Sequence, residues 1–207
     1  MIDSKKLYDL FLTSSRIILS FLILQFLNVV LFFVGMGIIF LPLLFLIDTI
    51  CIKKIIFQEE FFSFKFYFQT IKQNIVKSLG ILGIITILFL GINANMSMIN
   101  YIMVNNFNLL YYLITLIGLV LLFFALISII IYAPLVNATD KISTLKLVKV
   151  SLLMPFAKLK ITCFLILMCI CSFIIITNNL LFFLLIGPNL LITCNLVIYL
   201  YYLREDH

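Results

Sequence analysis

SLGILGIITILFLGINANMSMINYIMVNNFNLLYYLITLIGLVLLFFALISIIIYAPLVNAT, from Ser78 to Thr139, is 62 residues without a single Asp, Glu, Lys or Arg. About 20 apolar residues of helix cross the ~30 Å hydrocarbon core of a bilayer, so length alone allows up to three crossings here. The middle of the run argues for two. Gly91–Asn108, GINANMSMINYIMVNNFN, holds six Asn, whose amides suit an outer loop better than lipid. The expected product is a helical hairpin, with helices near Ile75–Ile92 and Leu109–Ala133.

Two further stretches repeat the pattern. Ile17–Ile47 (31 residues) and Ile161–Leu203 (43 residues) are also free of charge. All 14 Lys and Arg lie outside the three stretches: Lys5, Lys6 and Arg16, then Lys53 to Lys77, then Lys141 to Lys160, then Arg204. Basic residues accumulate on the cytoplasmic side. If every basic group stays there, each uncharged stretch crosses an even number of times. The expected fold is therefore an all-α, polytopic membrane helix bundle of six transmembrane helices arranged as three hairpins. Both termini would be cytoplasmic in a multi-pass cell-membrane protein. The first hairpin would turn at Gly35-Met36-Gly37, between Ser15–Val34 and Ile38–Ile56. Pro42 in its short second helix leaves open a re-entrant hairpin that does not fully cross. The third would turn at Asn178-Asn179, between Ile161–Thr177 and Leu180–Leu203. The long first apolar run has no A-x-A-like cleavage site, so its helix is expected to be retained.

Composition excludes other classes. The chain of 207 residues is 65% hydrophobic and 11% charged, with mean hydropathy +1.32. Soluble domains carry about 25% charge, so this chain cannot cover a water-facing surface. An ordinary soluble enzyme, a disordered chain and a nucleic-acid-binding module are all ruled out, and the basic excess is read against anionic headgroups. Trp is absent, and Tyr111, Tyr112, Tyr199, Tyr201 and Tyr202 are candidate interfacial anchors.

Two connectors between hairpins are expected to be basic amphipathic helices. In Phe61–Ser78, Phe61, Phe64, Phe68, Ile71 and Ile75 recur at three- and four-residue steps, with Lys65, Gln69 and Lys72 on another face. Lys141–Lys158 repeats this more weakly, with Leu145, Val148 and Leu152 against Lys146 and Lys149. Lys65, Lys72, Lys146 and Lys149 are candidate contacts to lipid headgroups or to a cytoplasmic partner. A faint echo links the halves: Pro42-Leu43 precedes Asp48 as Pro134-Leu135 precedes Asp140. The two prolines read as lying at different membrane depths.

Chemistry is sparse. The single His is His207, the last residue, so no His-based catalytic site or multi-His metal site can form. The five Cys form no CxxC pair and read as small buried hydrophobes. Gly80 and Gly83 suit close helix packing rather than phosphate binding. No catalytic residue, metal site or cofactor is expected. The membrane-embedded candidates are Asp48, read as an interfacial acid with a functional role as the alternative, the possible hinges Pro42 and Pro134, and the amides Gln25, Asn28 and Asn189.

With these residues in view, the chain resembles the YesL-like family of bacterial integral membrane proteins, a domain family of unknown biochemical function. FLPLLFLIDTICIKK leading into FKFYFQTIKQNIVKSLGILG resembles its first hairpin and following amphipathic segment. Lys72, Gln73 and Asn74 match that segment, while Ile75 stands where an aromatic is common. Leu43 and Leu44 replace the usual small residues after the first Pro. IYAPLVNATDKISTLKLVKVSLLMPFAKL and LIGPNLLITCNLVIYLYYL are similar to its later helices. The resemblance implies a non-catalytic accessory protein, often encoded beside carbohydrate ABC importers and sensor kinases. Its partners would be the lipid bilayer and a membrane protein complex, with no nucleic acid. A small transporter or channel is the second expectation, and an immunity protein against a membrane-acting toxin the third.

Overall fold

The computed structural model describes residues 4–34, 41–58, 60–105, 108–140, 142–178 and 187–205. Among them the chain is helical apart from short links: α1 (Ser4–Val34), α2 (Leu41–Phe57), α3 (Phe64–Asn105), α4 (Leu109–Thr139), α5 (Thr144–Ala157), α6 (Leu159–Asn178) and α7 (Gly187–Glu205). An apolar environment demands this, because each backbone N–H and C=O must find its partner within the segment. Two of the four prolines, Pro42 and Pro188, stand in the first turn of a helix, whereas Pro134 and Pro155 lie inside α4 and α5. Pro42 is the second residue of α2, where its missing N–H removes no bond.

Three helices are long and apolar enough to cross a membrane: Leu12–Leu31 within α1, Phe64–Val104 of α3 and Leu109–Thr139 of α4. A fourth arises only if Thr144–Ala157 and Leu159–Leu167, bent by 97°, count as one broken span. The expectation of six spanning helices is corrected accordingly. One source of the overcount is α2, only 17 residues long. The proposed turn at Gly35-Met36-Gly37 falls outside the described residues. So does Asn179 of the third turn, while Asn178 ends α6.

The expected outer loop between Gly91 and Asn108 is also corrected. α3 runs unbroken to Asn105, because nothing between Phe64 and Asn105 is a proline and a helix tolerates isolated Gly. Asn95 Nδ2 donates back to the Gly91 carbonyl and Ser97 Oγ to that of Asn93, keeping these polar groups on the helix. Asn108 caps α4, accepting from the Leu110 N–H at 3.1 Å. The connector expected at 61–78 is not a separate helix but the first turns of α3. Its Phe face points outward, with Phe64 and Phe68 exposed, and its buried face is Tyr67, Thr70, Asn74 and Ser78.

The core gathers at one end. α2 is central and packs against α1, α3, α4 and α7, as a helix apolar on nearly every side must. Leu43, Leu46, Ile47 and Ile52 are sealed there, with Ile129, Tyr132 and Val136 of α4 and Leu196 of α7. α1 and α2 run antiparallel: Ser20 Oγ accepts from the Phe62 N–H, and Asn28 meets Asp48. α2 covers only part of α3 and α4. Its Pro42 end sits against Ile81, Ile85, Ile129 and Pro134, while Lys53 reaches the Ala138 carbonyl. The far halves of α3 and α4 pack on each other, with Ile87, Phe89, Tyr101, Leu110 and Ile117 exposed.

α5 occupies the second expected connector. Val148 is buried as read, but Leu145 is exposed and Leu147 takes its place in the core. Thr162 braces the bend into α6: its hydroxyl meets the carbonyls of Pro155 and Lys158 and lies 2.6 Å from Tyr132 Oη. A Cβ on Gly80 would stand 2.7 Å from Thr144 Cγ2, so glycine lets α5 approach α3; the corresponding point at Gly83 is open. Of the cysteines with described side chains, Cys51 is buried, Cys163 and Cys171 are exposed and Cys194 is intermediate. The reading of all five as buried is corrected, since Cys163 and Cys171 point away from the core. Tyr199, expected as an anchor, is a core residue stacked edge-on to Tyr132.

Candidate functional site

Two polar constellations are built where α2 meets its neighbours. The first joins α1, α2 and α3. Asn28 Nδ2 donates to Asp48 Oδ1 at 2.7 Å, and Tyr67 Oη donates to Asn28 Oδ1 at 2.9 Å. One amide thereby satisfies an acceptor on α2 and a donor on α3. All three side chains are buried, Tyr67 to 1% and Asp48 to 4% exposure. Asp48 is thus a carboxyl enclosed by protein, with Asn28 as its partner, rather than an exposed acid. Helical spacing puts it on the face of α2 turned to α1, and Asn28 supplies its hydrogen bond. Such a closed triad holds three helices in register and presents no reactive group to solvent.

The second constellation joins α2, α3 and α4. Lys77 Nζ donates to Asn137 Oδ1 at 2.9 Å, Asn137 Nδ2 to Asn74 Oδ1 at 3.0 Å, and Asn74 Nδ2 to the Thr70 carbonyl at 2.9 Å. Lys53 Nζ donates to the Ala138 carbonyl at 2.8 Å. These groups wall an open cleft of about 850 Å³ to which Gln69, Gln73 and Asp140 also contribute. Nearby, Lys54 behaves differently: it pairs with Glu60 at 2.7 Å and lies 4.0 Å from the centre of the Phe66 ring.

The remaining sequence candidates are placed as follows. Pro42 and Pro134, expected at different depths, line one apolar cavity of about 140 Å³ with Leu46, Ile81 and Ala133. α2 runs parallel to the second half of α4, Pro42 beside Ile129 and Pro134 and Lys53 beside Ala138, which a linear count cannot show. The proposed Pro-to-Asp echo puts its acids in unlike settings, Asp48 in the core and Asp140 exposed at the α4 C-cap. Gln25 is buried on α1, nearly one turn before Asn28. Asn189 does not join the Asn28–Asp48 pair. It ties α7 to α1, donating to the Phe21 carbonyl at 3.0 Å. Lys65, Lys72, Lys146 and Lys149 are exposed, as a headgroup or partner contact requires.

Lys53, Lys77 and Asn137 are not among the candidate site residues that the sequence offers, and Asn74 enters there only as a match to the resembled family's amphipathic segment. The signal available was that Lys77 precedes the long uncharged run and Asn137 lies near its end, as hairpin closure makes neighbours of them. Among the described residues no group of three or more His, Cys, Asp and Glu gathers to hold a metal ion. Compared with family models, curated proteins and solved structures, the chain matches none.

Proposed function

We propose that this chain is a non-catalytic integral membrane protein that serves as an accessory partner in a bacterial membrane complex. In this reading α3 and α4 span the bilayer, with Lys77 and Asn137 at the cytoplasmic interface and Tyr101 and Tyr111 at the outer one. At about 1.5 Å per residue, Lys77 to Tyr101 is about 36 Å and Tyr111 to Asn137 about 39 Å, matching a ~30 Å hydrocarbon core plus the start of the headgroups. The α1–α2 hairpin enters from the cytoplasmic side and turns back. Its Pro42 end stands beside Ile85, only about 12 Å along α3 from Lys77. Both termini are cytoplasmic.

One observation carries the partner role. α3 presents Gly83, Thr86, Asn93 and Ser97 on a single exposed stripe at three-, seven- and four-residue steps. Among the described residues the Asn93 side chain has no hydrogen-bond partner, and it stands about 24 Å from Lys77, inside the hydrocarbon in this placement. Small and polar residues are what membrane helices use to associate, and a second helix would satisfy the Asn93 amide. The YesL-like resemblance points to a carbohydrate importer or sensor kinase as the complex. Purification in mild detergent, with the neighbouring genes expressed, tests this: a membrane partner co-elutes with the wild-type chain and is lost in Asn93→Leu. A chain recovered alone under those conditions overturns the proposal.

The cleft beside Lys53 and Lys77 favours a second reading, passage of a small solute. Solute flux in proteoliposomes that depends on Lys53 and Lys77 supports it, and liposomes no leakier than empty ones reject it.

A further inference from the structure

The polar cleft and the apolar cavity lie next to each other along the same three helices, as separate spaces with no lining residue in common. On α3 their walls run from Asn74 and Lys77 to Ile81 and Ile85; on α4 from Asn137 to Pro134 and Ala133; on α2 from Lys53 and Ile50 to Leu46 and Pro42. Each helix offers one continuous face at three- and four-residue steps, polar at one end and apolar at the other. Lys77 to Ile81 is one helical turn, about 6 Å, so the two spaces are stacked directly.

The charges mark what the cleft receives. Lys53 and Lys77 are half-buried and donate to neutral acceptors, a backbone carbonyl and an amide oxygen. Among the described residues neither has a carboxylate within 4.0 Å, whereas Lys54 does. An ammonium carries three N–H donors, so each lysine keeps two for a ligand. Gln69 and Gln73 add amides, and Asp140 at the rim is the sole carboxylate among the lining residues, leaving an excess of positive charge. The apolar cavity, about 140 Å³, is open on one side and walled almost wholly by apolar side chains, room for a short stretch of hydrocarbon.

We infer that the cleft and the cavity between α2, α3 and α4 together bind one anionic phospholipid of the cytoplasmic leaflet. Its phosphate sits between Lys53 and Lys77, and the first part of an acyl chain enters the Pro42–Pro134 cavity. A free phosphate compound accounts for the lysines but leaves the cavity beneath them without a purpose. A neutral hydrophobe accounts for the cavity but not for two ammonium groups that have only neutral acceptors among the described residues. The inference rests on the bilayer placement proposed above and is independent of a protein partner: a chain that co-purifies with nothing still binds lipid here.

The test titrates fluorescent phosphatidylglycerol into the full-length chain in a mild neutral detergent, with phosphatidylcholine, glycerol phosphate and inorganic phosphate as competitors. One phosphatidylglycerol binds per chain, and none of the three displaces it at equal concentration. Lys53→Gln with Lys77→Gln weakens binding about tenfold or more, the scale of losing charge-assisted hydrogen bonds. Lys53→Arg with Lys77→Arg retains it and shows that the fold tolerates substitution there. Lys65→Gln with Lys72→Gln, which removes equal charge elsewhere, leaves it unchanged. Ala133→Leu and Ile130→Phe, which fill the cavity, weaken it at constant charge. Equal binding of phosphatidylcholine, displacement by glycerol phosphate or inorganic phosphate, or an equal loss from the Lys65 and Lys72 pair would each overturn the assignment.

Discussion

Replacing Asn28 by Leu probes the triad on which the α1–α2–α3 arrangement depends. The side chains are similar in size, so the change is chemical rather than steric. It deletes two hydrogen bonds, 2.7 Å to Asp48 and 2.9 Å from Tyr67. It also strands a carboxyl and a phenol in a region both reach only by burial. Each stranded buried group costs about 1–3 kcal/mol, for a total of about 2–6 kcal/mol. Measured membrane hydrogen bonds average only ~0.6 kcal/mol, which sets a floor near ~1.2 kcal/mol for the two. Asp48→Asn, whose amide oxygen still accepts from Asn28, loses ~1 kcal/mol or less. The decisive variant is the triple Asn28→Leu, Asp48→Leu, Tyr67→Phe. Removing every polar member leaves nothing stranded, so it is more stable than Asn28→Leu alone. Equilibrium unfolding of the purified chain, by titrating a denaturing detergent into a mild one and following helicity by far-UV circular dichroism, measures all of these. The reasoning fails if Asn28→Leu costs no more than Asn93→Leu on the exposed face, or if the triple variant loses the sum of its single changes.

Glycine substitution on α3 is expected to change sign between two positions three residues apart. Gly83→Ala gains up to ~1 kcal/mol of helix propensity in open space, whereas Gly80→Ala meets Thr144 Cγ2 at 2.7 Å and loses about 1–3 kcal/mol; thermal melts of the two variants decide. Tyr132→Phe, which removes the 2.6 Å contact to Thr162, lowers stability by about 1 kcal/mol in the same assay. For topology, single cysteines in a cysteine-free background are labelled in intact cells with an impermeant thiol reagent. Asn108→Cys at the tip of the α3–α4 hairpin reacts, while Ser143→Cys and Leu41→Cys do not. Reaction of Leu41→Cys from outside would show that the first hairpin crosses fully.

Much of the fold was legible because hydropathy and charge are local properties. The Ser78–Thr139 run announced an apolar hairpin, and the α4 start at Leu109 is where the reading put it. The Asn-rich middle misled, since six amides were counted against lipid while a helix meets part of that cost by bonding Asn95 and Ser97 to its own carbonyls. α2 misled differently. LPLLFLIDTICIKKIIF reads as a crossing because burial among helices and burial in lipid call for the same side chains. Asn28 and Asp48 were each legible as polar residues in apolar surroundings, but their pairing was not.

The sequence by itself determined that this is a helical chain for an apolar medium, with its positive charge gathered into a few clusters, because transfer free energies act residue by residue. Only the tertiary structure decided that the short α2 stands at the centre, that Asn28 links Asp48 to Tyr67, and that the cleft of Lys53 and Lys77 lies next to the cavity of Pro42 and Pro134. Those outcomes depend on the register and direction in which helices meet. Many small packing terms between residues distant along the chain set that register, and none of them leaves a mark on local composition.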